Sequence, residues 1–163
     1  MGTGPSVTDT YKTFALQKWT LSNGDEVSAT TSKSGKIVYL ESDWGGVVKG
    51  PACDLSGIIF GTTTLTDIRK RFGSNGFAFE NRAAVMKVAD GVVMMNSYEI
   101  GSLIVTFITK ISADTSPEQK SEQSETLADR ARLDAVSISQ PDYSETTWGK
   151  RIYDPDYKKA EWK

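Results

Sequence analysis

The chain of 163 residues contains no histidine and one cysteine. Without imidazole there is no Ser-His-Asp arrangement and no histidine-ligated zinc. One cysteine allows neither a disulfide within the chain nor a metal site built from four thiolates. That residue, Cys53, sits in the turn-like stretch Gly50-Pro51-Ala52-Cys53-Asp54. A reactive thiolate needs a base or a helix N-terminus to lower its pKa. Cys53 therefore reads as a small, half-buried residue, with a cross-link to a partner as the alternative. Long apolar runs are also missing. The longest stretches resemble Val92-Val93-Met94-Met95, far below the roughly 18 residues that a membrane span requires. Charge of one sign is not in excess: 19 Lys and Arg stand against 21 Asp and Glu, a net charge of -2. Such a balance gives no global attraction to nucleic acid. The start, Met1-Gly2-Thr3-Gly4-Pro5-Ser6, lacks the basic and apolar parts of a signal peptide. It reads as a flexible leader over residues 1–12. The protein is then either cytoplasmic or one whose export signal has been removed.

What is present describes one globular domain. Hydrophobic residues make up 38% and charged residues 25%, ordinary proportions for a folded chain. The pattern predicts an α+β fold over 13–139, an antiparallel sheet of two meanders with one short helix on a face. The first meander comprises Phe14 to Ser22, Asp25 to Thr31 and Lys36 to Asp43. Asn23-Gly24 is a hairpin signal of the type I′ kind. The second comprises Phe77 to Glu80, Ala84 to Ala89, Val92 to Ile100 and Leu103 to Ile111, with Asp90-Gly91 as a second tight-turn dipeptide. Leu103 to Ile111 has apolar residues on both faces, which predicts a central strand. Leu133 to Ser139 reads as one more strand. Residues 112–126 are polar and lack an apolar stripe, which predicts a mobile segment. Residues 140–163 carry aromatics without a period and read as an extended tail that pins itself by those rings.

The helix has the most consistent signals. Thr64 is an N-cap residue and Asp67, three positions on, suggests a capping box. Leu65, Ile68 and Phe72 share one face. Arg69, Lys70 and Arg71 crowd the last turn, where positive charge suits the helix dipole. Gly73 is the left-handed stop. Being short, the helix must dock on a sheet to persist.

Gly61-Thr62-Thr63-Thr64-Leu65-Thr66-Asp67-Ile68-Arg69-Lys70-Arg71-Phe72-Gly73, followed by strands, resembles the helical element of small exported bacterial domains. These are the outer-membrane lipoproteins of the barrel-assembly machinery and the β-lactamase-inhibitor-protein-like domains. The resemblance implies a helix packed on an antiparallel sheet, a periplasmic or secreted location, and action by binding other proteins without a catalytic centre. The lipid-bearing cysteine near the start of the lipoproteins has no counterpart here.

Three kinds of site chemistry are encoded. Glu41 and Asp43 are two apart on a strand and so share a face. With Trp44 beside them as a sugar platform, they are candidates for carboxylate-based hydrolysis, which demands a cleft and one acid of raised pKa. Gly57 to Thr62 ahead of the helix is a candidate anion loop, although the phosphate-binding lysine is missing. The aromatics Trp44, Phe77, Phe79, Trp148 and Tyr153 form the candidate binding patch, because rings bury much area at low entropic cost. The expectation is a non-catalytic protein-binding domain, with no cofactor, no metal and no nucleic acid. The alternatives are the carboxylate hydrolase and a small-ligand carrier with an apolar pocket between sheet and helix.

Overall fold

The computed structural model describes residues 4–5, 7–11, 13–47, 57–112 and 126–160. Cys53, Trp162 and most of the polar segment at 112–126 lie outside them. The described residues form ten strands and three short helices. In chain order these are β1 (Val7–Tyr11), β2 (Phe14–Thr20), β3 (Glu26–Thr31), β4 (Ile37–Asp43), α1 (Leu65–Phe72) and β5 (Phe77–Phe79). They continue as β6 (Val85–Val88), β7 (Gly91–Ile100), β8 (Leu103–Ser112), α2 (Leu127–Arg130), β9 (Arg132–Ser139), α3 (Pro141–Trp148) and β10 (Arg151–Tyr153).

The strands make one antiparallel sheet in the order β1-β2-β3-β4-β9-β8-β7-β5-β10, with β6 also on β7. The sheet is predominant and the fold is roughly α+β. It does not divide cleanly into two meanders, because β9 enters between β4 and β8 and β10 adds itself to β5. β8 is central, flanked by β7 and β9.

Turn chemistry sets the hairpins. The Asn23-Gly24 loop is wider than a two-residue turn: Leu21 N–H reaches Asp25 O at 2.7 Å, enclosing Ser22, Asn23 and Gly24. The Asn23 amide donates to the Asp25 carboxylate at 2.6 Å and accepts from the Asp25 N–H at 3.2 Å. These bonds favour the wider loop. At the second turn Val88 pairs with Gly91, so the loop is Ala89-Asp90, one residue earlier than expected.

Helix α1 is capped as its residues predict. Thr64 Oγ1 accepts from Asp67 N–H at 3.0 Å, and Asp67 accepts from Thr64 N–H at 2.9 Å. Gly73 closes the other end at φ 70°. Thr126 and Asp129 repeat the box at α2, and Asp129 also accepts from Thr66 at 2.5 Å. Leu65 and Ile68 are fully buried, each worth about 1.5–3 kcal/mol of burial. The main core joins Ile68 and Phe72 of α1 to Tyr98, Val105, Phe107, Leu133 and Val136 of β7, β8 and β9.

Two stretches differ from the sequence reading. Residues Val7–Tyr11, within the expected leader, pair along their whole length with β2 and form the sheet edge. The stretch from Gln140, expected to run extended, forms α3 and then β10, which pairs with β5. Pro141 starts α3, where its missing N–H costs nothing, and the rings of Tyr143 and Trp148 dock it. Ser144 of α3 meets Ser139 at 2.6 Å. Ser139 is in register with Ile104, whereas the neighbouring Val105 faces α1. The helices α1 and α3 therefore cover opposite faces of the sheet.

Candidate functional site

The alternation of strand residues brings a polar row onto the α3 face. Lys18 pairs with Ser28, Ser28 with Glu41, Glu41 with Ser137, Ser137 with Thr106 and Thr106 with Ser97. The row thus crosses β2, β3, β4, β9, β8 and β7 in continuous register. Its β7–β9 end is closed off, with Ser97 and Thr106 sharing a hydroxyl bond at 2.8 Å. Its β2–β4 end lies open beneath the flank of α3.

That open end is a cleft of about 600 Å³. Its floor is Leu16, Lys18, Ser28, Thr30, Tyr39, Glu41 and Asp43, and its wall on α3 is Tyr143, Thr146, Thr147 and Trp148. Phe14 and Asp9 complete the margin. The rings are mutually inclined. Phe14 meets Tyr143 edge-on at 5.1 Å and 88°, and Trp148 meets Tyr39 at 5.7 Å and 71°. Edge-to-face contacts of this kind hold rings in fixed orientation.

The carboxylates have different environments. The Tyr39 hydroxyl donates to Glu41. Burial, and then the charge of Glu41, push the Tyr39 hydroxyl far above the ordinary phenol range. Asp43 is half-buried; this burial, followed by the charge of Glu41, pushes its carboxyl up to about 6. Glu26 and Asp134 act in the same sense and Lys18 opposes them. Lys18 is itself ion-paired with Glu26 at 2.5 Å. The cleft therefore holds one acid poised to keep its proton and one engaged as an acceptor. Among the described residues, no three or more His, Cys, Asp and Glu side chains come together to hold a metal. No described helix is long and apolar enough to cross a membrane.

The sequence-derived aromatic patch is divided. Phe77 and Phe79 are 3% exposed and sit in a core cluster with Ile104. Trp148 packs against Phe79 at 5.5 Å on one side and lines the cleft as well. Tyr153, 44% exposed, lies on edge strand β10 and leans on Phe77 at 5.2 Å. Trp44 stands apart from these four: it covers Gly61 and donates from Nε1 to Val47 O at 3.3 Å. Trp44 does not line the cleft beside Glu41 and Asp43; Tyr39, Tyr143 and Trp148 do. The last two of these come from α3, and Tyr143 and Phe14 were not among the candidate residues. The candidate anion loop precedes a helix whose cap N–H and first turn are engaged by the Thr64–Asp67 box.

A clamp fixes the wall. Arg151 pairs with Glu99 of β7 and, at 2.8 Å, with Glu145 of α3. Glu80 accepts from the Lys150 N–H at 3.0 Å. Arg82 stacks over Trp148 at 4.3 Å. These contacts hold α3 against the sheet from the side away from β2.

No protein family, curated protein or solved structure matches the chain.

Proposed function

We propose that this chain is a non-catalytic binding domain that captures another protein, and that the cleft between β2–β4 and α3 seats the partner. The observation that carries the reading is the cleft itself. Inclined aromatic walls over a floor of hydroxyls and carboxylates form a pocket of the size that takes anchor side chains. The fixed clamp behind α3 suits pre-organised binding. The resemblance of the α1 region to exported bacterial binding domains agrees with it, and implies a location in the periplasm or outside the cell.

The test is selection from an immobilised random-peptide library. The wild-type chain is compared with Thr146→Trp, which fills the mouth from an exposed helix position. Peptides retained by the wild type and released by the variant support the reading. Peptides retained equally by both place the seat elsewhere and overturn it.

A second reading is favoured by Asp43. A carboxyl that keeps its proton to about pH 6, beside Glu41 on one strand face, is the pairing used in glycoside hydrolysis. Turnover of chromogenic glycosides, abolished by Glu41→Gln and by Asp43→Asn, would establish that activity and displace the binding proposal.

A further inference from the structure

Resting on the reading of the cleft as the partner's seat, we infer that the group it takes is the guanidinium of an arginine side chain in the partner. Three independent features of the cleft converge on a planar organic cation.

The first is charge. The lining carries the carboxylates of Asp9, Glu41 and Asp43 against one ammonium, Lys18. That ammonium is already matched by Glu26 at 2.5 Å. The lining therefore carries more acidic than basic groups, with the Arg82 guanidinium acting on Tyr39 from outside it.

The second is register. Glu26 stands directly opposite Asp43 across β3 and β4. Like charges directly opposite each other on a sheet destabilise it. Asp134, the residue before Asp43's β9 partner Ala135, adds a further acid. Glu26 and Asp134 thus both disfavour the charge on Asp43. A ligand cation between Glu41 and Asp43 offsets that repulsion.

The third is the wall. Tyr39, Tyr143 and Trp148 pack against one another, with ring centroids 5.7 to 5.9 Å apart, and all three line the cleft. Ring faces attract cations, and most strongly when the site excludes water. Among such cations a guanidinium both stacks on rings and presents a fork of N–H donors to carboxylates, whereas an ammonium does only part of this. Trp148 already takes one guanidinium, that of Arg82 at 4.3 Å, which is not part of the cleft lining. No group of three or more His, Cys, Asp and Glu side chains that could hold a metal ion forms there among the described residues.

The experiment extends the peptide selection. Peptides eluted from the wild-type chain are sequenced alongside those eluted from Asp43→Asn and from the double variant Glu41→Gln/Asp43→Asn. Circular dichroism checks that each variant is folded. A representative arginine peptide is then titrated calorimetrically against its citrulline counterpart, which keeps the shape and lacks the charge. The expected results are arginine enrichment in the wild-type eluate, its loss in the double variant, and at least tenfold weaker binding of the citrulline peptide. Peptides retained in the cleft without arginine, or an equal affinity for citrulline, overturn the guanidinium and leave the seat standing. Absence of any peptide whose binding depends on Thr146 overturns both. L-arginine methyl ester binding as tightly as the peptide makes the ligand a diffusible guanidinium compound and overturns the partner side chain.

Discussion

Tyr39 donates its hydroxyl hydrogen to Glu41, two residues along the same strand. The phenol sits over the polar row and contacts the rings of both Tyr143 and Trp148. It therefore ties the acidic floor of the cleft to its aromatic wall. Tyr39→Phe removes one donor and leaves the ring in place. Loss of that bond to an ionised carboxylate costs about 1.5–3 kcal/mol when the acceptor stays buried, and less here because water reaches the cleft. The expected destabilisation is about 1 kcal/mol in urea unfolding at pH 7. A change below the measurement error would mean that Glu41 is held by water alone.

Asp43 supplies a pH signature. Its carboxyl is raised to about 6 by burial and by Glu41, with Glu26 and Asp134 adding to the shift and Lys18 opposing it. The folded chain thus binds this proton more tightly than the unfolded chain. Stability falls as pH rises from about 4 through about 6, then levels off. Partial exposure screens the effect, leaving about 1 kcal/mol. Asp43→Asn is expected to gain about that much at pH 7 and to flatten the curve between pH 4 and 6. Urea midpoints across that range read it; an unchanged slope in the variant assigns the pH dependence to another group.

Ser139 and Ser144 are both buried and bond at 2.6 Å, joining the end of β9 to the middle of α3. Replacing either by Ala strands the other hydroxyl, at about 1–3 kcal/mol. Replacing both removes the stranded group, so the double variant is expected to lose less than the sum of the singles. A double-mutant cycle in chemical denaturation measures the coupling. Strict additivity would show that the two hydroxyls act independently.

Gly61 and Gly73 both have positive φ, 69° and 70°. A side chain at Gly73 meets open space, while one at Gly61 would overlap the Trp44 ring. Gly73→Ala is expected to cost about 1 kcal/mol from the backbone alone. Gly61→Ala adds displacement of the indole, and its cost is expected to exceed that of Gly73→Ala by at least about 1 kcal/mol. Thermal unfolding of the two variants tests the difference.

How much of this was legible in the sequence follows from how local each signal is. Helix α1 is written in adjacent residues, since Thr64, Asp67, the apolar triplet and Gly73 all act within one short segment. The strand positions from β2 to β9 were equally readable, whereas β1 and β10 were not, since both are short edge strands fixed by their partners. Helix α3 was not: it has no apolar stripe and only one buried residue, Ser144, so nothing in its pattern distinguishes it from a wrapped tail. Tertiary packing of Tyr143 and Trp148, together with the Arg151 clamp, makes it helical. The shared face of Glu41 and Asp43 was readable from their spacing. Their cleft was not, because it depends on β9 inserting beside β4 and bringing Pro141–Trp148 over residues about a hundred positions earlier. Trp44 was the natural platform by adjacency, yet backbone pairing of Trp44 with Asp134 at 2.8 Å directs the chain away there, toward Gly61.

The Arg151 clamp carries one more implication. The floor of the cleft is made early in the chain and its wall late, and the fastening that holds the wall comes after the wall. During synthesis on a ribosome the hydroxyl-lined floor stays uncovered until the segment beyond Arg151 has emerged, so a nascent chain has no walled cleft. Formation of the cleft is thereby postponed until translation of this region is all but finished.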